Sequence, residues 1–164
     1  MHKILFGLLL FLLVGCAARR NQQARIEGYR QTVAAQADVT RTREAAIMLV
    51  EESAAYAQQY PTDTLTATYL FRAADVARGL ERYEQALELW EQFRTSFPDH
   101  PNAPEALFYQ GFTADTGMAN FELARTHYED FLARYPNHVL STQVVQLLKV
   151  MGTTNQELIR RYGQ

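Results

Sequence analysis

A single cysteine, Cys16, stands among the 164 residues, so no internal disulfide is possible and packing alone must hold the fold. An excess of one charge is missing too. Sixteen basic residues against 18 acidic leave a net of −2, which argues against the basic footprint of a nucleic-acid-binding protein. No serine occupies a nucleophile elbow, and no glycine-rich loop cradles a phosphate. The four histidines, His2, His100, His127 and His138, form no set at metal-ligand spacing. Carboxylates crowd at Glu51 with Glu52 and at Glu81, Glu84 and Glu88, with Arg78 and Arg82 within reach of the second group. That is the pattern of solvated helix faces, not of two acids held across a cleft with shifted acidities. These absences predict a chain with no catalytic residue, no metal or other cofactor, and no small-molecule substrate.

What is present begins with a short basic region ending at Lys3, an apolar run from Ile4 to Val14, and Gly15 directly before Cys16. The run is about a dozen residues, whereas a helix crossing the roughly 30 Å hydrocarbon core needs about twenty. It has the outline of a secretion signal. Leu13, Val14, Gly15 and Cys16 resemble the lipobox of bacterial lipoproteins, which implies cleavage before Cys16 and lipidation of its thiol with diacylglyceryl and palmitate-type chains. The alternative is an ordinary signal or an uncleaved anchor, with Cys16 a passive small residue. Ala17 follows the cysteine; in the enteric sorting scheme an aspartate there would retain a lipoprotein in the inner membrane, so the resemblance implies the periplasmic face of the outer membrane.

Residues 16–41 are expected to be a polar tether. From Ala17 to Thr42 there are five arginines (19, 20, 25, 30 and 41) against Glu27 and Asp38, a net of +3, while the chain from Arg43 onward carries ten bases and 16 acids, a net of −6. The basic stretch suits either a solvated tether or proximity to anionic headgroups.

From residue 42 the chain repeats. Tyr56, Tyr60 and Pro61 return as Phe93, Phe97 and Pro98 and again as Phe131, Tyr135 and Pro136, the prolines 37 and then 38 positions apart. Tyr83, Ala86, Trp90 and Phe93 return as Phe121, Ala124, Tyr128 and Phe131, at spacings that share one helical face. Leu70, Ala74 and Ala77 return as Leu107, Gly111 and Ala114, small residues that admit a neighbouring helix closely. His100 and His138 each follow their proline by two, which predicts a shared turn environment. Stacked repeats bury a core that no single unit could bury. Each unit is therefore expected to be an antiparallel helix pair ended by proline, with Gly79 and Gly117 marking the turns inside the pairs and Asn102 capping the helix that Pro104 and Glu105 open. Helices are predicted near 42–59, 64–78, 82–97, 103–116, 119–135 and 139–151, with a short closing helix near 154–162.

This pattern resembles the tetratricopeptide repeat over roughly residues 43–151: aromatic, alanine, aromatic and terminal proline are matched by Tyr83, Ala86, Trp90, Pro98 and by Phe121, Ala124, Tyr128, Pro136. The wording "YPNH" and "FPDHPNAPEALFYQGF" is similar to the repeats of two envelope families, the lipoprotein of the outer-membrane β-barrel assembly machine and the periplasmic coordinator associated with the Tol and Pal proteins. The resemblance implies an all-α, right-handed superhelical stack of antiparallel helix pairs over residues 42–164. Ala77 and Ala114 depart from it, since the family usually has a larger residue there.

The family lines a concave groove with the exposed face of each first helix. By its offsets Thr68, Phe71, Asp75 and Arg78 fall there in one unit, Glu105, Phe108, Phe112 and Asp115 in the next, and Gln143, Gln146 and Val150 in the last. Phe71, Asp75, Arg78, Phe108, Phe112 and Asp115 form the candidate partner-binding site, the three rings as anchors and the charges as rim. An N-terminal helix or neighbouring side chains covering the rings is the competing account. The expected function is a lipid-anchored envelope interaction module, or scaffold, that grips a peptide or helix of an outer-membrane assembly, pilotin-type, cell-wall or Tol–Pal component. The alternative is a cell-wall enzyme or enzyme subunit.

Overall fold

The computed structural model describes residues 2–36 and 38–152, with side chains from Cys16 to Met151. Among the described residues every regular element is an α-helix: α1 (His2–Ala35), α2 (Val39–Gln59), α3 (Thr66–Gly79), α4 (Tyr83–Ser96), α5 (Ala103–Thr116), α6 (Phe121–Arg134) and α7 (Ser141–Gly152). The fold is all-α and built of helical hairpins. The ends of α2 to α7 lie within three residues of the predicted limits. The closing helix expected near 154–162 lies outside the described residues. None of the described helices is long and apolar enough to cross a membrane. The chain divides into two compact units, Met1–Tyr69 and Leu70–Gln164.

In the first unit α1 packs antiparallel on α2. Arg19 pairs with Asp63 at 3.1 Å, Gln23 Nε2 donates to the Tyr56 hydroxyl at 2.6 Å, and Arg25 makes a two-pronged pair with Glu52 at 3.1 and 3.0 Å. Ile26 is buried in the same stripe, as is Gln22, which donates to the Glu52 carbonyl. The polar tether expected over residues 16–41 is thus not what folds there. Residues 16–35 continue α1, and Arg19, Arg25 and Arg30 are paired with carboxylates. Burial and the neighbouring Asp63 raise the Tyr56 phenol to about 12, burial contributing most and the Gln23 bond opposing it.

The second unit holds most of the repeat. α4 packs on α5, α5 on α6, and α6 on α7. Trp90, Phe93, Tyr128 and Phe131, the recurring aromatic face, are all fully buried. Ala77 and Ala114 are fully buried as well, so the small residues at these positions sit in close-packed surroundings. Gly111 is required by contact: a Cβ there would lie 2.7 Å from the Tyr128 ring.

The three proline-marked turns share one hydrogen-bond scheme. The second residue after the proline donates its N–H to the carbonyl of the aromatic residue before it at 3.1 Å in each case, Asp63 to Tyr60, His100 to Phe97 and His138 to Tyr135. Its side chain then accepts a backbone N–H two residues on: Asp63 from Leu65, His100 Nδ1 from Asn102, and His138 Nδ1 from Leu140. His100 stands edge-on to Phe93 and His138 edge-on to Phe131. The shared environment expected for the two histidines is present, and Asp63 fills the same role in the first turn. Thr66 and Ser141 hydroxyls close two of these turns by donating to the Tyr60 and Tyr135 carbonyls. Asn102 occupies the cap position of α5, but its side chain makes no capping bond.

Gly79 ends α3 and Gly117 caps α5, so both stand at the turns inside the hairpins. No glycine among the described residues has a positive φ; Glu81 (62°) and Ala119 (51°) take the left-handed conformation, each two residues after the glycine. Gly117 matters for a different reason, since a Cβ would stand 2.7 Å from the Tyr83 ring and 2.9 Å from the Thr113 carbonyl oxygen. Two opposite outcomes are expected from exchanging these neighbours. Ala119→Gly relieves left-handed strain and should stabilise by about 0.5–1 kcal/mol after the entropic cost of glycine, whereas Gly117→Ala should cost about 1–3 kcal/mol through overpacking. Thermal melts of both variants test this; a lower midpoint for Ala119→Gly would contradict it.

Candidate functional site

The six candidate side chains lie in the second unit, on α3 and α5. Residues 71, 75 and 78, and likewise 108, 112 and 115, are spaced to share one face of their helix. Asp75 is exposed and Arg78 half-buried; Arg78 Nη2 donates to Asp75 Oδ1 at 3.0 Å. The α3 charges therefore neutralise one another. Phe71 is half-buried, edge-on to Phe93 at 5.3 Å and 6.3 Å from Tyr109 between ring centroids.

On α5 the three residues differ in kind. Phe108 is only 6% exposed and lies within 6.4 Å, centroid to centroid, of Tyr109, Phe112, Tyr128 and Phe131. The expectation that Phe108 is an open groove anchor is corrected: it is a core residue, held between α5 and α6. Phe112 is half-buried and stacks on Phe108 at 6.0 Å with 17° between the planes. Asp115 is half-buried beside Tyr128 of α6. Burial raises its carboxyl above the usual range, and the Tyr128 hydroxyl partly offsets this. Burial in turn raises the Tyr128 phenol, with the Asp115 charge adding to the shift. Of the other first-helix positions, Thr68 and Glu105 are half-buried, and Gln143, Gln146 and Val150 are exposed.

Tyr109 escaped the sequence reading. Its ring stacks on Trp90 at 5.6 Å and also meets Phe71 and Phe108, so it joins the α3 ring to the α5 rings. The signal was a break in the repeat, since the equivalent position one unit earlier is Arg72. A polar junction also went unpredicted. Arg94 donates to Gln110 Oε1 at 2.6 Å and to Glu91 at 3.0 Å, and lies 3.4 Å from Asp130; Gln110 donates in turn to the Leu87 carbonyl and to Glu91. Gln110 is 2% exposed. Its groups satisfy one another, which is what burial of polar atoms in a helix junction demands. Next to it, burial lowers the His127 pKa, assisted by Arg94 and opposed by Glu91 and Asp130.

Among the described residues no group of three or more His, Cys, Asp or Glu side chains could hold a metal ion. Cys16 is exposed as a free thiol. What the α3 and α5 faces offer is two partly exposed rings, one internal ion pair and one carboxylate without a counter-cation. That arrangement suits recognition of a polypeptide, with rings for apolar contact and charges for orientation. No curated protein matches the chain. The tetratricopeptide repeat family matches residues 68–100 and 105–138. The helices of these two segments, α3 with α4 and α5 with α6, are thus similar to tetratricopeptide repeats.

Proposed function

We propose that this chain is a bacterial lipoprotein of the cell envelope, cut before Cys16 and held by lipid at the periplasmic face of the outer membrane. There it grips a peptide or helix of an envelope protein along the α3 and α5 faces. The observation that supports the grip is the set of half-buried rings, Phe71 and Phe112, carried beside charges on the first helices of two tetratricopeptide repeats. The anchor rests on the lipobox-like Leu13, Val14, Gly15 and Cys16. Each buried methylene contributes ~0.8 kcal/mol, so one acyl chain binds reversibly and two or more hold firmly. The candidate partners are components of outer-membrane protein assembly, of secretin piloting, or of cell-wall and Tol–Pal coordination.

Affinity purification of the lipidated protein from crosslinked cells tests the grip. An envelope protein recovered with the wild type and lost with Phe71→Ala and Phe112→Ala together is the expected result; no partner above background would count against it. The anchor has its own test. Cys16→Ser should abolish lipid attachment and leave unprocessed precursor or soluble protein, because serine offers no thiolate for the thioether. Labelled fatty acid retained on the serine variant in membrane fractions would show that the anchor lies elsewhere.

A further inference from the structure

The two first-helix faces differ in their charge balance, and the difference specifies what the second of them accepts. On α3 the acid already has its cation, Asp75 being bound to Arg78 at 3.0 Å. On α5 Asp115 forms no ion pair with any described residue and lies half-buried beside the Tyr128 hydroxyl. That hydroxyl belongs to a fully buried ring and brings no positive charge to the carboxylate. A half-buried carboxylate with no counter-cation among the described residues therefore lies where α5 and α6 adjoin, and it is relieved when a cationic donor arrives. Phe112 stands three residues before Asp115, one helical turn away on the same face. Its ring is half-buried and backed by Phe108.

We propose that Phe112 and Asp115 form a receptor for one basic side chain of the partner segment, arginine in preference to lysine, with the guanidinium against the Phe112 ring and its N–H groups on the Asp115 carboxylate. The inference rests on the interaction reading given above and names the chemistry of its partner. Arginine is favoured because its planar cation stacks on an aromatic ring while presenting a fork of donors to a carboxylate, which the compact lysine ammonium does less well. The field of the unit points the same way. Its residues, 70–164, carry twelve acids and nine bases, a net of −3, so a basic segment is drawn toward this unit and an acidic one repelled. The occupant is a polypeptide segment with an arginine flanked by apolar residues, the latter meeting Phe71 and the rest of the Phe112 ring.

Selection of a random peptide library displayed on phage, with the full chain held in detergent micelles, tests this. The peptides that matter are those whose binding is lost with Phe112→Ala. They should share an arginine at one fixed place, and Asp115→Asn should weaken them on the order of tenfold or more. Changing the peptide arginine to alanine should cost as much, and combining the two changes should cost little beyond either alone. Asp99→Asn, an exposed acid in the turn before α5, should leave affinity unaltered. A charge swap, Asp115→Lys against a peptide with glutamate for arginine, should restore binding, which separates pairing from any loss of fold. Peptides that depend on Phe112 but share no basic residue, or whose arginine ignores Asp115→Asn, would overturn the receptor and leave the interaction reading standing. A library yielding no peptide sensitive to Phe112→Ala would overturn the interaction reading and the receptor with it.

Discussion

Replacing Trp90 with alanine should destabilise the repeat unit by about 3–5 kcal/mol, as truncation of a large buried aromatic does. Trp90 is fully buried on α4, and its indole stacks on Tyr109 of α5 at 5.6 Å with 26° between planes. Its removal leaves a cavity at the α4 and α5 packing contact, which the helices cannot close without moving the rings on both sides. The loss is a sizeable share of the ~5–15 kcal/mol that a domain typically possesses. A second variant separates volume from hydrogen bonding. The Trp90 N–H has no partner, so Trp90→Phe gives up no bond and removes a buried unsatisfied donor, which offsets part of the lost ring area. Denaturant titrations should therefore rank wild type, Trp90→Phe and Trp90→Ala in that order, with the alanine variant far below the other two. An alanine variant as stable as wild type would mean that the indole contributes nothing to the core.

The repeat register was legible because apolar burial in this unit follows helical spacing. Trp90, Phe93, Tyr128 and Phe131 are large, recur at 38 residues and are fully buried, so periodicity alone located α4 and α6. The turns were legible for a related reason, since a side chain two residues after the proline is the one that reaches the next backbone N–H. α1 was not legible as a packed helix. Its contact stripe is carried mostly by Arg19, Gln22, Gln23 and Arg25, and their partners, Asp63, Glu52 and Tyr56, lie about thirty or more residues away. A stripe stabilised by long-range polar pairs has no apolar period to read. What a glycine does within a turn also depends on residues far away in sequence. Glycine signals left-handed backbone or close approach equally, and at Gly117 the neighbour that decides between them is Tyr83, more than thirty residues earlier.

The candidate site was half legible. Helical offsets put Phe108 and Phe112 on one face, but offsets say nothing about the depth of that face, and four neighbouring rings bury Phe108 while Phe112 stays partly open. Placing both phenylalanines in an open groove would leave stability unchanged for either substitution. The structure reverses that for Phe108. Phe108→Ala should cost about 3–4 kcal/mol, near the value for Trp90, because it empties space between α5 and α6. Phe112→Ala should cost only about 1–2 kcal/mol, since part of its ring already meets water and less buried area is lost than at Phe108.

Binding should rank the pair the other way. If Phe112 is the contact residue, its truncation removes on the order of 2 kcal/mol or more of partner affinity, while the folded fraction of Phe108→Ala keeps most of its affinity apart from the loosened support under the Phe112 ring. Melts combined with titrations against the crosslinked partner give both quantities for both variants. Equal stability losses would place the two rings at the same depth, and wild-type affinity in Phe112→Ala would remove this ring from the contact surface. The contrast also bears on how the site is built: Phe108 fixes the plane on which Phe112 rests at 17°, so a rigid core ring holds a partly exposed one in orientation, and the energy that positions the contact residue comes from the repeat core rather than from the partner.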